Sequence, residues 1–355
     1  MKSWRVILIV VPWVVAGCIP EIDDDLSTIS APRILAVQSQ PAEAGPEKLV
    51  TTRALVAAPD GAKVPFIDWE LCIDRKPLTE LGPVSPACLS RTGNAAIQVP
   101  LGSGDSVGPF EIPRDACSLF GPTPPPPKAN EPGGRPTDPD VTGGYYEPLV
   151  AFLGSSDKTL GMVRLDCGLP VGVPRDALKD YNARHRPNEN PAIDAFSMGT
   201  AAPLTDIPPD DGSSSPEVVS PHEHLTVRAT YAACPRTPVC GDGQCSAGET
   251  KDQDSCPADC PDDTAKGCTG AETYAWYDGT SHTVVDRREG IAVSFYSTDG
   301  AIDDRRTGVA ATDPDQSHVE TGWTAPGRAG DVVLWAVIRD DRGGVSWQRY
   351  RLRVK

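Results

Sequence analysis

Two sets of strand-like segments recur in the same order along the chain, and this repeat restricts the fold more than any other feature. Residues 32–37 (PRILAV) match residues 191–196 (PAIDAF) as P-x-I-x-A followed by an apolar residue. Residues 51–58 (TTRALVAA) match 226–233 (TVRATYAA) as T-x-R-A-x-x-A-A. Residues 149–153 (LVAFL) match 334–338 (LWAVI) as L-x-A followed by two apolar residues. One such match is unremarkable, but three in register imply two copies of one unit.

The unit is built from strands. Residues 64–72 (VPFIDWELC) alternate so that Ile67, Trp69 and Leu71 share one face, and Pro59-Asp60-Gly61 before them forms a turn. The second copy closes with residues 332–339 and 345–354 around Asp340-Asp341-Arg342-Gly343-Gly344, whose glycines supply the positive φ that tight hairpins require. With 37 prolines, 33 glycines and 6% aromatics, the strands are short and the turns long. A proline-rich loop spans 119–142, and its four consecutive prolines favour an extended, solvated segment. Residues 174–185 predict a helix, with Pro174 at its start and Ala177, Leu178 and Tyr181 on one face.

An inward tryptophan on the third strand and the run GWTAPGRAGDVVLWAVIRDDRGG at 322–344 resemble PKD-like and bacterial immunoglobulin-like modules of surface proteins. The resemblance implies an all-β chain: two immunoglobulin-like (PKD-like) β-sandwiches with long loops, one short linking helix and a disulfide-rich insertion. The expected sandwiches are 32–170 and 190–355, the helical linker is 171–189, and the insertion is 234–268.

Ahead of them, Lys2 and Arg5 precede a ten-residue apolar run at 6–15 that leads into Val15-Ala16-Gly17-Cys18. At ~1.5 Å per helical residue the run covers about 15 Å, half a hydrocarbon core, which suits a secretory leader and not a membrane span. Small residues followed by cysteine resemble the lipobox of bacterial lipoproteins. That resemblance implies removal of 1–17, a diacylglycerol on the Cys18 thiol, and an acylated new amino terminus. Ile19, where an aspartate would retain the protein at the inner membrane, favours the outer membrane. Residues 18–31, with four acids and little to bury, read as a flexible tether.

Of the eleven cysteines, ten remain beside Cys18, an even number suited to disulfides in an exported chain. Cys240, Cys245, Cys256 and Cys260 sit in CGDGQCSAGETKDQDSCPADC. This stretch resembles the CGDGxCxxGE…CPxDC cassettes of secreted bacterial proteins, including myxobacterial lipoproteins. Pairing within these four and a separate clasp from Cys234 to Cys268 are favoured, and proximity suggests Cys72 with Cys88 and Cys117 with Cys167; spacing does not fix the connectivity. Asp242, Glu249, Asp252, Asp254 and Asp259 offer hard oxygen ligands, so calcium is a candidate cofactor and solvated surface acids the alternative. Zinc at these cysteines is disfavoured in an oxidising compartment.

The formal charge is −16, and loss of Lys2 and Arg5 with the leader takes it to −18. Nucleic acid would be repelled, which leaves the lipid anchor as the contact with membrane. No enzyme is expected. Gly104-Asp105-Ser106-Val107-Gly108 fits G-x-S-x-G, but no helix follows to make a nucleophile elbow. His222 and His224 form a pair without a third ligand, and His185, His282 and His318 stand in separate polar segments. The acid pairs at 303–304 and 340–341 read as turn formers. Tyr274, Trp276 and Tyr277 form an aromatic group that could stack on a sugar if exposed, although packing against the sheet is the favoured reading. The expected function is a non-catalytic, adhesion-type binding module at the envelope, with a protein or polysaccharide partner. A structural or assembly lipoprotein is the alternative, and a surface hydrolase using Ser106 is a remote third.

Overall fold

Short alternating strands can bury one face each only by stacking in two layers. In the computed structural model, which describes residues 26–75, 84–123, 126, 139–155, 157–236 and 267–355, they do so twice. The first copy comprises β1 (Arg33–Gln40), β2 (Glu43–Ala44), β3 (Leu49–Ala57), β4 (Ile67–Cys72), β5 (Gln98–Ser103), β6 (Ser106–Glu111), β7 (Tyr146–Leu153) and β8 (Asp157–Leu165). The second comprises β9 (Ala195–Gly199), β10 (Thr205–Asp206), β11 (Glu217–Val219), β12 (His224–Thr230), β13 (Thr273–Asp278), β14 (Thr283–Arg288), β15 (Ile291–Ser297), β16 (Ala301–Ile302), β17 (Arg306–Val309), β18 (His318–Thr324), β19 (Gly330–Asp340) and β20 (Val345–Val354). The short helix α1 (Ala116–Leu119) lies within the first copy, and α2 (Arg175–Arg184) lies between the two.

The copies share one topology. Sheet β1-β3-β6 corresponds to β9-β12-β18, and sheet β2-β8-β7-β4-β5 to β11-β20-β19-β15-β17. In each, one short strand runs parallel to the last strand, β2 to β8 and β11 to β20, while the other pairings are antiparallel. This is the immunoglobulin-like arrangement. The second copy carries β10 and β16 as extra edges and the β13–β14 hairpin as an insertion.

The repeated alanine has a packing reason. Trp69 on β4 faces Ala151 on β7, and in the second copy Phe295 on β15 faces Ala336 on β19. The small side chain leaves space for the large ring at the centre of each core. Trp69 is 1% exposed, and its indole N–H donates to the Gly104 carbonyl at 2.8 Å.

A third cluster joins the sandwiches. Alternate residues of β19 face opposite ways: Val332, Leu334, Ala336 and Ile338 enter the second core, while Val333, Trp335 and Val337 meet Leu35, Ala36, Leu55 and Ala57 of the first copy. Burial on both faces explains why this strand reads VVLWAVI without polar interruption. The Arg53 guanidinium lies 4.6 Å from the Trp347 ring, and Arg339 donates to the Leu35 carbonyl at 2.8 Å.

The described cysteines form three disulfides. Cys72–Cys88 ties the 84–97 loop to β4, Cys117–Cys167 ties α1 to the segment after β8, and Cys234–Cys268 closes the two ends of the insertion on each other. The leader, Cys18, most of the tether, and the cassette with Cys240, Cys245, Cys256, Cys260 and its five acids lie outside the described residues. Among the described residues no helix is long and apolar enough to cross a membrane.

Candidate binding cleft at the domain junction

The turn between β19 and β20 sets the geometry of the junction. The Asp340 carboxylate accepts the backbone N–H groups of Arg342 and Gly344 at 2.9 and 2.7 Å, and Gly343 adopts φ 99°. That turn sends Arg342 into the space between the sandwiches, where its side chain is 1% exposed. One guanidinium nitrogen donates to Glu43 at 3.1 Å and to the Arg186 carbonyl at 3.0 Å; the other donates to Glu289 at 3.2 Å and Glu272 at 3.3 Å. Glu43 also pairs with Arg164 at 3.2 Å. The first copy, the linker and the second copy therefore all hold the same charge cluster.

One buried guanidinium cannot neutralise every carboxyl around it. Burial pushes Glu272 up to about 8 and Asp340 up to about 6, and it pushes Glu289 well above the ordinary range with help from Asp340 and Glu272. Glu43 goes the other way: burial alone would raise it, but Arg164, Arg342 and His185 outweigh that and hold it low. Burial likewise opposes the charge on Arg342, and the surrounding carboxyls more than restore it.

Beside this cluster a cleft of about 450 Å³ opens between residues 139–145 and 168–170 of the first copy, Tyr181 of α2, and the β13–β14 hairpin. Trp276 and Tyr277 line it half-buried, whereas Tyr274 is buried and lies 4.8 Å from the Arg342 guanidinium. Gly143 adopts φ 81°, and a Cβ there would stand 3.3 Å from Trp276, so the glycine lets the loop approach the indole edge. Arg287 stacks on Trp276 with its guanidinium carbon 3.3 Å from the ring centroid, and donates to the Val141 carbonyl at 2.7 Å. The Tyr277 hydroxyl lies 3.0 Å from His282 Nδ1. A neighbouring cavity of about 480 Å³ shares Val141, Thr142 and Arg287.

The sequence-level candidates are dispersed by the fold. Ser106 begins edge strand β6 with its side chain exposed, and β6 continues where an elbow would need a helix. His224 lies 3.6 Å from Asp303 at an exposed strand end and contacts the Thr324 hydroxyl, while His222 takes φ 60° in the preceding turn. Two readings change. His185, isolated in sequence, stands 3.6 Å from both Glu43 and Asp166. Asp340, read as a turn former, is also a buried member of the junction. Glu43, Asp166 and His185 are close enough to share an ion. Glu43 already faces two guanidiniums, however, so a cation there would have to compete with Arg164 and Arg342. Sequence reasoning missed Arg342, Glu43, Arg164, Glu272, Glu289 and Arg287. A lone arginine between Asp340-Asp341 and Gly343-Gly344 was the signal available for the first of these.

No family model matches the chain, and no curated protein matches it. Among solved structures it is similar to Escherichia coli α2-macroglobulin activated by porcine elastase, at 11% identity and TM-score 0.20, covering 93% of this chain and 22% of that one. Fibronectin(III)-like modules of Clostridium thermocellum CbhA match at 10% identity and TM-score 0.18, over 93% of this chain and 92% of that one. Dimeric latent PorU from Porphyromonas gingivalis matches at 11% identity and TM-score 0.17, over 92% and 34%. The chain spans less than a quarter of the macroglobulin's length.

Proposed function

We propose that the chain is a non-catalytic binding module, exported and held at the cell envelope through an acylated Cys18. The observation that carries this reading is the half-buried aromatic wall at Trp276 and Tyr277, held open where two sandwiches are locked together. A pocket of this size at a domain junction is the usual setting for recognition. The three disulfides and the leader-like amino terminus are in keeping with an oxidising compartment. The outer membrane is the proposed site, on the strength of Ile19, and a polysaccharide or protein of the envelope is the proposed partner. Purified full-length protein in detergent micelles, titrated onto isolated cell envelopes, is expected to bind saturably. Absence of saturable binding would contradict the reading.

A further inference from the structure

We infer that the cleft formed by Trp276, Tyr277, Tyr181 and Arg287 binds a carbohydrate that carries a carboxylate, a sugar of the uronic acid class. This names the ligand of the binding module proposed above and rests on that reading. Sugar rings present C–H faces that pack on aromatic side chains and hydroxyls that need polar partners, and the cleft offers both. Its aromatic wall is held in place, Trp276 by the stacked Arg287 and the close approach of Gly143, and Tyr277 through His282. The Trp276 indole N–H makes no hydrogen bond among the described residues and remains available to a ligand, while Tyr181 closes the inner side of the cleft with its ring stacked on His185 at 4.9 Å.

Charge then selects among sugars. Three arginines line the two adjoining cavities. Arg236 pairs with Asp315 at 2.7 Å, and Arg288 faces the same carboxylate at 3.5 Å. Arg287 has no carboxylate partner among the described residues, although the chain carries a formal charge of −16. Of the acids lining the two cavities, Asp140 accepts from Thr142, Gly144 and Tyr146, Asp286 pairs with Arg184, and Asp341 accepts the Gly290 backbone N–H. An anionic ligand would therefore meet one cation that stacks on Trp276 without a carboxylate of its own, and carboxylates at Asp140 and Asp286 that are already paired. A planar guanidinium pairs with a carboxylate through two parallel N–H donors, which a neutral sugar cannot exploit.

The test is calorimetric titration of the full-length protein in micelles with digalacturonate and dimannuronate, against galactobiose and mannobiose as neutral counterparts. The expected result is binding of at least one uronate, with its neutral counterpart weaker by about tenfold or more. Trp276→Ala and Arg287→Gln should each weaken uronate binding by about tenfold or more while the thermal midpoint holds. Arg287 is half-buried on the hairpin and outside the hydrophobic clusters, so its variant remains informative should Trp276→Ala fail to fold. No heat with either uronate, equal affinity for acidic and neutral sugars, or unchanged binding in Arg287→Gln would overturn the inference. Envelope binding that survives in both variants would leave the binding module standing and remove only this ligand; envelope binding absent in the native protein would remove the module itself.

Discussion

Arg342 and Glu43, 299 residues apart, meet at 3.1 Å with side chains 1% and 3% exposed. Their pairing differs in kind from that of Arg342 with Glu289, because the neighbouring cations outweigh burial and hold the Glu43 carboxyl low, whereas burial raises that of Glu289 well above the ordinary range. Neutralising the two should therefore have unequal effects. Glu43→Gln leaves Arg164 and Arg342 short of a buried anion and should cost about 3 kcal/mol or more. Glu289→Gln substitutes an amide of the same shape for a carboxyl whose charge burial already opposes, and should cost under about 1 kcal/mol. Urea denaturation of both variants at pH 7 separates these outcomes, and equal losses would contradict the assignment.

The alanine opposite each central aromatic predicts a penalty in both directions. Trp69→Ala should destabilise by about 3–5 kcal/mol through the cavity it leaves. Ala336→Leu should cost about 1–3 kcal/mol, because the added atoms enter space already filled by Phe295. The thermal midpoint of each variant checks the pair, and a neutral Ala336→Leu would mean that the second core is loosely packed.

Glu147 gives the clearest pH dependence. Its carboxylate is 0% exposed, neither oxygen has a hydrogen-bond partner, and burial, with Asp115 nearby, pushes it up to about 8. Between about pH 4.5 and 8 the folded state keeps a proton that the unfolded state has lost, so stability falls as pH rises through that window. The group contributes up to roughly 4–5 kcal/mol of this decline. Glu147→Gln should flatten the slope of stability against pH over that range. Glu43 acts with the opposite sign, its contribution being lost as pH falls through its lowered value. An unchanged slope in Glu147→Gln would show that the carboxyl is not neutral in the folded state.

The anchor is tested at Cys18. Cys18→Ser should abolish acylation and leave an unprocessed or mislocalised precursor, read by fractionation and by the mass of the amino-terminal peptide. Normal membrane retention in that variant would contradict lipid anchoring.

The fold was legible wherever a local pattern carried it. Strand alternation placed Trp69 inward, the Asp-Gly-rich stretch marked the β19–β20 turn, and the repeated L-x-A recorded the aromatic facing it. The junction was not legible, because Glu43, Arg164, Glu272, Glu289 and Arg342 each look like an ordinary surface charge and become a cluster only when the two copies dock. One trace of docking was present: β19 is apolar on both faces, which a half-exposed edge of a sandwich would not be. Tyr274, Trp276 and Tyr277 read as one aromatic group, yet packing separates them, with Tyr274 taken into the junction and the other two left on the cleft wall.

The central claim is that Arg342 and the apolar face of β19 join two sandwiches into one body that holds the cleft. Differential scanning calorimetry of the native protein and of Arg342→Ala tests it most directly. The native protein should unfold in a single cooperative transition, and Arg342→Ala, which removes the tie to Glu43, Glu272 and Glu289 and leaves Glu43 with Arg164, should lose about 3–5 kcal/mol and resolve into two transitions. Two independent transitions in the native protein, or an unchanged single transition in Arg342→Ala, would contradict the claim.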